Sequence, residues 1–209
     1  MQLFTRTVSL VGPNDEVMSF ATGMRELVSD RSGREIALWM VSFGAPIGTF
    51  VYSARVEGIA DLQQIGATLI ADPEYHAKLA SGRQLSTAPP TDQLSTPIYG
   101  ELGAVPPVGS TSIVTTAAIS NGKYAEALAW GVEISQYVEG VTGFSTLFLS
   151  QDFGDFGRVT WIGVTPDAAS ADTAGQKINA DPGYLGKLAA AGELFAQGSG
   201  QRALLTRVA

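Results

Sequence analysis

The chain has 209 residues, 45% hydrophobic and 16% charged, with a formal net charge of −7. Its 13 basic residues are scattered, which argues against a nucleic-acid surface, because phosphate binding needs clustered Lys and Arg. It has no cysteine, which excludes disulfides, thiol catalysis and Cys-ligated metal centres. No apolar run approaches the ~20 residues of a membrane span. Met1 to Thr7 lacks the basic and apolar segments of a signal peptide, so the expected compartment is the cytoplasm, with no membrane partner.

In chain order, Phe4 to Val11 reads as a strand, and Gly12-Pro13-Asn14-Asp15 as a helix start. Val17, Phe20, Met24, Leu27 and Val28 form one apolar stripe at helical spacing, which Arg31-Ser32-Gly33 ends. Ile36 to Phe43 and Thr49 to Val56 predict a hairpin around Gly44-Ala45-Pro46-Ile47-Gly48. A helix follows from Ile59 to Ala71, then a helical turn opened by Asp72-Pro73, and a last strand over Ser95 to Glu101. The order then recurs. Thr111 to Ile119 is a strand, Lys123 to Val138 a helix, and Thr142 to Ser150 with Arg158 to Val164 a second hairpin. Ala168 to Asn179 is a helix, Asp181-Pro182 a second helical turn, and Ala203 to Val208 the final strand.

The recurrence is literal at one point. Ala71-Asp72-Pro73-Glu74-Tyr75 returns as Ala180-Asp181-Pro182-Gly183-Tyr184, a shift of 181 − 72 = 109 residues. Gly48 falls on Gly157 and Gly66 on Gly175 at the same shift. The chain is therefore expected to be a tandem duplication, with units 1–104 and 105–209 meeting in the Pro-rich stretch Gly103 to Gly109. Each βαββαβ unit matches the ferredoxin-like split motif, with helices on one face of an antiparallel sheet. Two such sheets bury their uncovered faces against each other, an α+β barrel within one chain. The expected state is a monomeric pseudo-dimer or a homodimer.

On the duplicated pattern and the two Asp-Pro-x-Tyr segments, the chain resembles the dimeric α+β barrel superfamily, and its NIPSNAP and DUF1330-type members in particular. Phe4-Thr5-Arg6-Thr7-Val8 is weakly similar to the NIPSNAP first strand. The resemblance implies a cavity between the sheets. It also implies a range of functions, from cofactor-free monooxygenases and lactone isomerases to haem-degrading enzymes and proteins without known activity.

The repeated residues read as scaffold. Asp72 and Asp181 are expected to cap helices, and Tyr75 and Tyr184 to pack those helices on the sheets. Positions where the repeats differ are the better site candidates. Arg6 aligns with Thr115, Arg55 with Val164, and Tyr52 with Trp161. Arg6 and Arg55 fall on neighbouring central strands and would meet if they share a face. A buried cation needs an anionic partner, either Glu35, Glu57 or Glu101, or a ligand carboxylate. With Trp39, Tyr99 and Trp161, the residues Arg6, Tyr52 and Arg55 make up the expected lining of a small-molecule site between the sheets. His76, the one histidine, is the candidate haem ligand by resemblance, although its counterpart is Leu185. No metal site is expected, and no cofactor, with haem the alternative. Phosphate-loop spacing is absent from both glycine turns. Four functions stay open: a small-molecule binder, a cofactor-free monooxygenase or isomerase acting on small aromatics, a haem-binding protein through His76, and a non-catalytic interaction module.

Overall fold

The computed structural model describes residues 1–209. The first repeat runs β1 (Gln2–Ser9), α1 (Asn14–Ser32), β2 (Ile36–Phe43), β3 (Thr49–Val56), α2 (Ile59–Ile70), α3 (Pro73–Ser81) and β4 (Thr91–Tyr99). The second runs β5 (Thr111–Ala118), α4 (Tyr124–Thr142), β6 (Thr146–Phe153), β7 (Arg158–Thr165), α5 (Ala168–Ala180), α6 (Pro182–Ala190) and β8 (Gln201–Arg207). The duplicated βαββαβ order is thus present throughout. β4 begins before the expected Ser95, and β6 begins after the expected Thr142, because α4 runs on until Gly143 takes a left-handed φ of 78° and ends it.

The two sheets do more than face each other. The strands close into one barrel in the order β1-β3-β2-β8-β5-β7-β6-β4, with β4 returning to β1. The seams join the repeats: β2 pairs with β8 and β4 with β6, both antiparallel and both with a register irregularity. Closure removes the free sheet edges that two separate ferredoxin-like sheets would present. At the β2–β8 seam, Gly44 has φ +90°, and a Cβ there would lie 2.2 Å from the Arg202 carbonyl oxygen. Only glycine allows that approach.

The duplicated Asp-Pro segments cap helices as expected. Asp72 accepts from the Glu74 and Tyr75 amides, and Asp181 from the Tyr184 amide at 2.7 Å. Pro occupies the first helical position, where its missing N–H costs nothing. Tyr75 packs with Met24, Leu27 and Leu69 beneath α1 and α2. No helix is long and apolar enough to cross a membrane.

Candidate functional site

Strand alternation sends side chains either into the barrel or outward to the helices. In β1 and β3 the register sets Arg6 opposite Tyr52, and Arg55 opposite Leu3. Arg6 and Arg55 therefore lie on opposite faces and do not meet, so the condition for their pairing around one ligand is not fulfilled. The six candidates do not line one inter-sheet pocket either. Arg6, Tyr52, Trp161 and Tyr99 belong to the helix side, while Trp39 and Arg55 line the barrel interior.

Between the helices and sheet of the first repeat lies a cavity of about 440 Å³. Its wall is mostly apolar, with Phe4, Phe20, Met24, Ile65 and Leu69 among its residues, and its polar side groups are Arg6, Tyr52, Ser53, Tyr75, Arg83 and Ser86. A volume above ~300 Å³ with a few convergent polar groups is typical of a small-molecule site. Arg6 is clamped by Asp92 through two 2.7 Å bonds, from Nε to Oδ1 and from Nη2 to Oδ2. The partner is thus Asp92, across the β1–β4 pair, and none of the three glutamates expected from sequence. The Asp92 hydrogen bond raises the Arg6 pKa, and Tyr75 adds a weaker pull in the same direction. The Tyr52 hydroxyl donates to the Ala21 carbonyl at 3.1 Å, and burial pushes its pKa well above the ordinary phenol value. Tyr52 is therefore a neutral hydrogen-bonding group near pH 7.

The matching space in the second repeat is only about 180 Å³, because aromatic rings fill it. Trp161, at the Tyr52 position, stacks on Phe148 at 4.8 Å and meets Trp130 and Phe195 edge-on at 6.0 and 5.7 Å. α4 aligns with α1 one residue further along than the strands do, so Trp130 stands where α1 has Phe20. Phe148 pairs with Trp161 as Leu38 pairs with Tyr52. Phe195 bridges Ile119 as Ser86 bridges Leu10. Leucine, serine and tyrosine in the first repeat thus become phenylalanine, phenylalanine and tryptophan in the second. Gly131 accommodates this filling, since a Cβ on it would lie 2.2 Å from the Phe148 ring.

The remaining candidates are dispersed. Tyr99 donates to Glu139 at 2.6 Å, tying β4 to α4 across the seam. The Trp39 indole donates to Ser53 Oγ at 3.0 Å inside the barrel. His76 is on the exposed side of α3, with Nε2 2.7 Å from the Ile70 carbonyl oxygen, and it lines none of the cavities described. Neither helix-layer cavity has a histidine in its wall, so His76 is not placed to ligate a haem held in either of them. No cluster of three metal-ligating side chains occurs. Sequence reading missed Asp92, Phe20, Trp130 and Phe195. Asp92 carried a signal, since β1–β4 pairing places it opposite Arg6.

Solved structures share this arrangement across the whole chain. An anthrone oxidase-like protein superposes with a TM-score of 0.71 at 12% identity, covering 100% of this chain and 91% of its own. The likeness is one of fold. An inferred monooxygenase from Fusobacterium nucleatum subsp. nucleatum gives 0.66 at 10% identity, covering 100% and 93%. An inferred chlorite dismutase gives 0.57 at 13%, covering 100% and 96%. No protein-family model matches the chain, and no curated protein matches it. The fold is thus the α+β barrel of two ferredoxin-like repeats, here completed within one chain.

Proposed function

We propose that this protein binds a small, mainly apolar aromatic molecule in the helix-layer cavity of its first repeat. The observation that carries the reading is the asymmetry between repeats. One scaffold encloses about 440 Å³ in the first and about 180 Å³ in the second, where bulky rings occupy the same positions. In this reading, the apolar wall holds the body of the ligand out of water. Arg6 and Tyr75 at one side orient a phenolic or carbonyl oxygen.

A second reading is cofactor-free oxygenation of an electron-rich aromatic. It is favoured by a guanidinium beside an apolar cavity, which would stabilise the phenolate or enolate of such a substrate. The whole-chain fold likeness to an anthrone oxidase-like protein agrees with it. The cavity wall has no imidazole or carboxylate to remove the substrate proton, so binding stands first.

Calorimetric titration with anthrone and with 1-naphthol tests both readings, with dissolved oxygen followed in parallel. Saturable binding that Tyr52→Trp with Ser86→Phe abolishes supports the site. Binding that survives the double substitution places the ligand elsewhere and sinks the proposal. Oxygen uptake with bound anthrone selects the oxygenase reading.

A further inference from the structure

The barrel interior holds another cavity, of about 330 Å³, separate from both helix layers. Its wall carries more hydroxyl side chains than that of the first-repeat helix-layer cavity. Hydroxyl side chains, including Thr5, Ser53, Ser95 and Ser112, stand among aliphatic ones such as Leu3 and Val114.

Arg55 enters this space from β3. Its Nε is completely buried and has no hydrogen-bond partner, and Arg55 takes part in none of the salt bridges. Burial lowers its pKa, Glu35 raises it, and Arg207 lowers it. The one carboxylate that favours Arg55 is shared: Glu35 lies 3.7 Å from the guanidinium of Arg207 and is 60% exposed. Two cations thus face one solvated carboxylate. Arg55 as a whole is half-buried, and a partly desolvated charge left this way carries a cost that a paired anion would offset.

The surroundings of Arg55 suit an anion. Ser53 lies two residues earlier on β3 and shares its inward face. Ser53 Oγ accepts from the Trp39 indole at 3.0 Å, which leaves its own proton free to donate. The linker between repeats leaves β4 and enters β5 at the end of the barrel where β3 finishes. Its residues Leu102, Val105 and Pro106 line the same cavity. The counterpart of Arg55 in the second repeat is Val164, which lines the cavity too. The barrel therefore has one anion anchor and an apolar wall facing it.

We propose that the barrel interior is a binding site for one small organic carboxylate, held by the Arg55 guanidinium and the Ser53 hydroxyl, with its apolar body along the aliphatic wall. This site is independent of the helix-layer cavity and takes a different ligand class.

Benzoate and its neutral isostere benzamide are the probes, titrated into the full chain by calorimetry and by ¹H–¹⁵N NMR. The Trp39 indole signal is assigned by its loss in Trp39→Phe. Benzoate is expected to bind at least about tenfold more tightly than benzamide, to shift the Trp39 indole signal, and to weaken at least about tenfold in Arg55→Gln. Absence of benzoate binding, equal affinity for benzamide, an unmoved Trp39 signal or unchanged affinity in Arg55→Gln would each overturn the assignment. Arg55→Met adds a readout without ligand. Removing a half-buried cation that has no ion-pair or hydrogen-bond partner is expected to raise the thermal midpoint of the free protein. A lowered midpoint would mean that Arg55 already has its partner within the chain, which also overturns it.

Discussion

Tyr52 and Trp161 hold matching positions on β3 and β7, and each donates a hydrogen bond to a matching turn of the long helix above it. The Tyr52 hydroxyl reaches the Ala21 carbonyl at 3.1 Å, and the Trp161 indole reaches the Gly131 carbonyl at 3.2 Å. The helix–sheet tie survives the duplication while the ring that makes it changes size. Transferring bulk from the second repeat should therefore close the first cavity without unfolding it. Ser86→Phe installs the ring that Phe195 supplies on the other side. Affinity for 1-naphthol is expected to fall more than about tenfold, because the ring takes the ligand's volume. The thermal midpoint should stay level or rise, because the ring enters existing space. A lowered midpoint with unchanged affinity would show that the ring points away from the cavity.

Removing bulk from the second repeat should be costly. Trp161→Ala deletes the ring shared by Phe148, Trp130 and Phe195 and strands the surrounding aromatics around a void. Large-to-small changes of this kind cost about 3–5 kcal/mol. Tyr52→Phe keeps the ring and loses one neutral hydrogen bond, expected to cost about 0.5–1.5 kcal/mol. Urea unfolding of the two variants should separate them clearly. Similar losses would mean that the two repeats contribute alike, against the packing difference described.

Much of the scaffold was legible from sequence because the duplication exposes it. The spacing of the two Asp-Pro-x-Tyr segments gave the repeat length, and their caps form as the residues dictate. Barrel closure was less legible, because the β2–β8 and β4–β6 seams join strands from different repeats. No local pattern records which edge a strand will meet. The site was legible as a set of residues and illegible as an arrangement. Arg6, Tyr52 and Arg55 were all visible as points where the repeats differ. Which face each one serves depends on the β1–β3 register, and a change of one residue would exchange Arg6 for Thr5 or Thr7 at the helix-layer cavity. The expectation of one inter-sheet pocket treated both faces of the sheet as one space. The filled state of the second cavity rests on Trp130 and Phe195, which lie outside the strands.

The clamp between Arg6 and Asp92 makes a prediction about ligand charge. The pair neutralises the cation at the edge of the first cavity, and both side chains are substantially exposed, at 39% and 45%. Asp92→Asn should thus cost less than about 1 kcal/mol of stability. It frees the guanidinium, so 1-naphthoate should gain affinity relative to 1-naphthol by several-fold, with the gain falling as salt is added. Competition titrations at two ionic strengths measure this. An unchanged preference would mean that Arg6 does not reach ligands in that cavity.

The two capping aspartates sit in different company, and this predicts a pH dependence that one substitution isolates. In the first repeat, Asp72 is ion-paired with Arg31, which also reaches Glu74. In the second, Gly183 stands at the Glu74 position, and a Cβ there would lie 2.0 Å from the Tyr137 hydroxyl oxygen. The missing side chain lets that hydroxyl donate to Asp181 at 2.7 Å. The Tyr137 hydrogen bond, followed by the Tyr184 amide, lowers the Asp181 pKa, and the same bond raises that of Tyr137. The folded state therefore binds the Asp181 proton less readily than the unfolded chain does. That contribution is complete above the unfolded carboxylate value of about 4 and is lost as pH falls through the lowered folded value. The Tyr137 proton is held more tightly in the folded state. Its contribution is complete below the unfolded phenol value of about 10 and is lost as pH rises through the raised folded value. Tyr137→Phe removes the shared bond, so the wild-type advantage in thermal midpoint should form a plateau between these limits and shrink on both sides. Asp181→Asn should flatten the acid limb as well, since no carboxylate remains there to be protonated. A gap between wild type and Tyr137→Phe that stays constant from the acid limb to the alkaline limb would show that the bond does not form in solution.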